Sequence, residues 1–129
     1  MSREPTLLAY FILSVLPASE VAAAAEFREK PENPDAARAF DFLLDTDFSK
    51  QCDLSTSPLE ENLSQLFERS YMGLEFERWE VAERGDGAYL LTLHYIDGRS
   101  GPTTARWEVR PGPEEARWEG ESAEVLSCF

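Results

Sequence analysis

Residues 79–129 read WEVAERGDGAYLLTLHYIDGRSGPTTARWEVRPGPEEARWEGESAEVLSCF, and this stretch decides the fold. With the preceding Arg78 it holds three near-copies: Arg78-Trp79-Glu80-Val81, Arg106-Trp107-Glu108-Val109 and Arg117-Trp118-Glu119-Gly120. A strand period of two places each Trp on one face and its Arg and Glu neighbours on the other. The three indoles then cover one apolar layer, and Arg and Glu pair across strands in water. Turn residues divide the run into an antiparallel meander. Glu77–Glu83 is a strand, Ala88–Ile96 is central, and Thr103–Val109 follows after Asp97–Pro102. The central AYLLTLHYI run is apolar on both faces, which predicts neighbours on both sides and cover on both faces. Leu74 and Phe76 are out of phase with Trp79 and Val81, so a bulge or a late strand start is expected there. From Ala116 onward one strand bent at Gly120, or two short strands, is expected, with Cys128 near the end.

Two helices are expected ahead of the meander. Asn33-Pro34-Asp35 offers a cap, a proline at the first helical position and an acid in the first turn. That helix runs to about Leu44 or Asp45, burying Ala36, Ala39, Phe40, Leu43 and Leu44. Ser57-Pro58-Leu59-Glu60 reads as a capping box, and Leu59, Leu63, Leu66, Phe67 and Tyr71 follow the helical period to Gly73. This second helix is expected to lie across the tryptophan layer. The fold class is α+β: two helices on a curved antiparallel sheet of four or five strands. In architecture, segments Ser57–Gly73 and Ala88–Val125 resemble the cystatin-like and nuclear-transport-factor-like folds. Those folds host enzymes and binding modules alike, so the resemblance implies no site.

The chain start bears on the compartment. Arg3 precedes the apolar run Thr6–Leu16, Pro17 closes it, and Ala22–Ala25 supplies small residues. This pattern predicts a signal peptide over 1–25 and an exported protein, periplasmic or secreted. The alternatives are a buried first helix in a cytoplasmic protein, or an anchor, for which the run is too short. A charged, proline-bearing linker is expected over 26–33, and a single domain over 34–129. Cys52 and Cys128 are the two cysteines. In an exported chain they are expected to form a disulfide.

Composition narrows the partners. The chain has 129 residues and a formal charge of -13, with 25 acidic residues against 12 basic. That balance argues against nucleic acid, which needs a basic patch. It suits a basic protein partner. No cofactor is implied, since phosphate loops, nucleophile elbows and zinc motifs are missing. His94 is the only histidine. It is the sole candidate general base, with Asp41 or Asp45 as its partner; Tyr89, His94 and Tyr95 are candidate lining of a small-ligand pocket. Asp45 and Asp47 are candidate metal ligands by likeness to a calcium loop, which fails where Lys50 and Thr56 stand. Arg84-Gly85-Asp86 spells an adhesion tripeptide, and Asn62-Leu63-Ser64 spells a glycosylation acceptor.

The leading functional reading is an exported, non-catalytic binding or interaction module using its sheet concavity or acidic rim. The alternatives are a small-ligand pocket or enzyme built on His94, and a cytosolic acidic inhibitor or nucleic-acid mimic. Arginines interleaved among the acids argue against mimicry.

Overall fold

A computed structural model describes residues 26–69 and 73–129. The signal-peptide segment 1–25 and Tyr71 of the second helical stripe lie outside the described residues. The fold is α+β. Four strands, β1 (Glu75–Gly85), β2 (Ala88–Asp97), β3 (Gly101–Arg110) and β4 (Glu115–Glu119), form an antiparallel sheet in chain order. The α-helices of the described residues are α1 (Pro34–Asp45), α2 (Ser49–Cys52), α3 (Leu59–Leu63) and α4 (Glu121–Ser127).

The register confirms the common phase of the tryptophans. Trp79 sits opposite Leu93, and Trp107 lies between Leu91 and Trp118. Trp107 is fully buried, while Trp79 and Trp118 are half-buried against the same core. Trp79 meets Phe40 of α1 edge-on at 5.5 Å and Trp107 at 5.9 Å; Trp118 meets Phe48 at 5.7 Å. These aromatic pairs add specific geometry to the area they bury. The helix over Trp79 is therefore α1, not the second predicted helix. The expected bulge falls between Phe76 and Arg78, and a second falls between Glu83 and Gly85. Between them six residues, Arg78 to Glu83, pair with β2 without interruption.

Local rules explain α1. Asn33 Oδ1 accepts from the Asp35 and Ala36 amides at 2.9 and 3.0 Å, and Pro34 opens the helix. Its buried stripe is Ala36, Ala39, Phe40, Leu43 and Leu44, as the spacing predicts. The capping box at Ser57 does not form. Pro58 occupies the cap position with no side-chain hydrogen bond, and Glu60 accepts instead from Arg28 Nε at 2.8 Å. A charge-assisted bond outcompetes a neutral amide for that carboxylate. Arg28 comes within reach because the 3₁₀ turn Glu26–Arg28 drives Phe27 fully into the core. The segment read as a linker thus contributes a core residue. After Leu63 the coil widens into a π-turn over Ser64–Glu68, still burying Leu66 and Phe67.

The largest difference from the sequence expectation is the chain end. Beyond Gly120, at φ 98°, the chain forms α4 instead of more strand. Ala123, Leu126 and Ser127 bury one face of it. Trp107 Nε1 donates to Ser127 Oγ at 2.8 Å, and buried Asn62 donates to the Leu126 and Ser127 carbonyls at 3.2 Å each. Carbonyls at a helix end need such partners when the end is buried. Cys128 caps α4 and bonds to Cys52 at the end of α2, with sulfurs 2.08 Å and Cα atoms 5.6 Å apart. The disulfide joins two helix ends, not a loop to a final strand.

The central strand also differs in one respect. On the inner face Leu91, Leu93 and Tyr95 are buried. On the outer face Thr92 is buried and Leu90, His94 and Ile96 are half-buried. There the cover comes from long charged side chains, whose stems shield apolar surface while their heads stay wet.

Candidate functional site

The structure separates the residues proposed as a pocket lining. Tyr95 is in the core, where burial raises its hydroxyl pKa, partly offset by a hydrogen bond with Ser122. Tyr89 lines a shallow cleft of 390 Å³ with Asn33, Asp35 and Glu83; desolvation, then Asp35 and Glu83, raise its pKa. His94 belongs to the outer face, opposite Tyr89 and Tyr95 by strand parity. Its Nε2 lies 2.8 Å from Glu80 Oε1, and that contact, ahead of Arg78, lowers the Glu80 pKa. The histidine partner is therefore a cross-strand glutamate rather than Asp41 or Asp45. Asp41 instead lies 3.2 Å from Lys30.

The remaining sequence candidates have structural partners. Asp47 accepts from the Ser49 amide and hydroxyl, which lowers its pKa and fastens the start of α2. Asp45 is exposed, and no cluster of three or more metal-ligating side chains occurs among the described residues. Arg84 of the adhesion tripeptide is held by Glu119 and Glu108 on the outer face, so its guanidinium is not presented with Asp86. Asn62 of the glycosylation sequence is buried, and its amide is spent on α4.

What remains is a groove along β1. It encloses 590 Å³ between Glu29–Glu32 and the strand, with Phe76, Trp79 and Val81 as apolar lining. β1 is the longest strand and lies at the edge of the sheet. Among the described residues, no other backbone pairs with its free side. Trp79 is held by its Nε1, which donates to the Phe27 carbonyl at 2.8 Å. Phe76 is set by edge contacts with Phe27 and Phe67. Trp79 and Val81 therefore present fixed apolar surface two residues apart, the side-chain spacing of an added strand.

The groove's charges are uneven. Lys30 is paired with Asp41 and Arg78 with Glu80, at 3.2 and 3.6 Å. Glu29, Glu32 and Glu77 are exposed and have no ion-pair partner among the described residues. Among the described residues, the groove thus offers an apolar floor and carboxylates with no ion-pair partner. Sequence reasoning missed it because Glu29–Glu32 reads only as linker; the signal was Phe27, an aromatic inside that charged stretch.

No family model, curated protein or solved structure matches the chain. The groove must be interpreted from its own chemistry.

Proposed function

We propose that this protein is an exported, non-catalytic interaction module that takes up an extended segment of a partner protein along the edge of β1 with which no other described backbone pairs. The observation that carries this reading is an 11-residue edge strand with a regular central run, flanked by a groove of matching apolar spacing. An added strand gains main-chain hydrogen bonds from the edge and specificity from alternate side chains over Trp79 and Val81. The groove's exposed acids, which have no ion-pair partner among the described residues, and the net charge of -13 favour a segment alternating apolar residues with Lys or Arg. The sheet's inner face is covered by helices, so the edge is the favoured binding surface. Export rests on the pattern of residues 1–25, and a disulfide is compatible with an oxidising compartment.

Selection of random peptides on the full chain tests the binding mode. The expected winners alternate apolar and basic residues, and methylating their backbone amides on one side removes binding. Winners indifferent to backbone methylation, or no winners, would contradict strand addition. Export is tested separately by the mass of the protein recovered from its host: a start near Glu26 is expected, and retention of Met1 excludes cleavage.

A further inference from the structure

We infer that the corner formed by α2, α4 and their disulfide is a second docking surface, for a cationic amphipathic helix of a partner protein. This inference is independent of the β1 reading. Among the described residues, the exposed large apolar side chains are Leu54, Val125 and Phe129, at 50%, 61% and 44% exposure. Leu54 lies two residues past Cys52, Val125 three before Cys128, and Phe129 directly after it. The 5.6 Å separation of the bridged Cα atoms brings these chain segments to one corner. Leu54 and Val125 carry the apolar contact. Scattered exposed leucines are ordinary, but gathering at a cross-link is not expected of chance exposure.

The charge around them selects the partner. Asp53, Glu121 and Glu124 are exposed, and none has an ion-pair partner among the described residues. Lys50 is the one base on the flanking helices α2 and α4. A second copy docking corner to corner would set these acids against their own copies. An anionic lipid surface would be repelled likewise. An apolar stripe bordered by lysines or arginines complements both features. The corner is also held in advance: Asn62 and Trp107 fix the end of α4, and the disulfide fixes it to α2. Less ordering is then needed on binding.

A short designed helix with leucines on one face and lysines on the other is the probe, titrated into the full chain with its disulfide intact. Val125→Glu removes apolar contact while adding the charge that attracts the probe. The expected result is binding weakened about tenfold or more. Leu54→Glu should do the same, and Val125→Leu should bind as the parent does. Circular dichroism and the mass of the intact disulfide identify folded variants, and Leu54→Glu decides the matter if Val125→Glu does not fold. Unchanged or tighter binding by a folded glutamate variant makes the attraction purely electrostatic and overturns the proposal. Failure of the parent chain to bind the probe also overturns it.

Discussion

The outer face of the sheet and the α4 corner both carry glutamates, and the fold treats them in opposite ways. On the outer face Glu108 is only 8% exposed and accepts from Arg117 at 2.7 Å, with Arg84 and Arg110 at 3.5 and 3.8 Å. Glu119 is held by Arg84, and Glu80 by His94 and Arg78. Strand parity gives this face five glutamates (Glu75, Glu80, Glu108, Glu115, Glu119) and four arginines (Arg78, Arg106, Arg110, Arg117), and Arg84 reaches it from the second bulge by pairing with Glu108 and Glu119. At the corner, Asp53, Glu121 and Glu124 have no such partners among the described residues and border exposed apolar side chains. The negative charge is therefore concentrated away from the sheet's outer face. A net charge of -13 describes the molecule poorly until its location is known.

The comparison is tested most severely by removing what connects the sheet to the corner. Trp107→Ala empties a fully buried site and takes away the donor to Ser127. It should cost about 3–5 kcal/mol by denaturant unfolding. A loss under about 1 kcal/mol would mean that α4 is not fastened through this residue. Replacing both cysteines, Cys52→Ala with Cys128→Ala, opens a 76-residue span and should cost about 2–4 kcal/mol. The same double variant should bind the cationic helix more weakly, whereas an unaltered affinity would separate the disulfide from the corner's shape.

Smaller effects distinguish the two surfaces by pH. Arg117, then Arg110 and Arg84, lower the Glu108 pKa in the folded state below the ordinary 4.5, against an opposing desolvation. A depressed folded value gives stability that is present above pH 4.5 and lost as pH falls through the folded value. Glu108→Gln should therefore flatten the loss of stability below pH 4.5; a slope equal to the parent's would refute the pairing. Val125→Glu, at an exposed corner position, should shift stability by only about 0.5 kcal/mol in either direction. A much larger loss would place Val125 in packing instead of on a free surface.

The sheet was legible in the sequence because its signals agree. Alternation, turn residues and three repeated Arg-Trp-Glu units specify the same strands, and the phase slip at Phe76 located a bulge. The pairing of Cys52 with Cys128 was legible too, although the element carrying Cys128 was not. Its end reads as strand only because strand precedes it. Ala123, Leu126 and Ser127 stand at i, i+3 and i+4, a helical stripe too short to prevail without the tertiary contacts of Trp107 and Asn62. The capping box failed for a related reason: the competing partner of Glu60 lies 32 residues away. The candidate site was the least legible. Tyr89, His94 and Tyr95 share one strand but are divided between its faces, and the groove depends on how Phe27 folds the preceding chain onto β1.

Amide mapping of the isotopically labelled full chain, with and without a selected extended peptide, tests strand addition at β1 most directly. The account predicts slowed hydrogen exchange and the largest shift changes over Phe76–Glu83. Residues facing outward on β3 and β4, such as Glu108 and Arg117, should remain close to their free positions. Changes centred on those outer-face residues, with β1 amides exchanging as before, would contradict it.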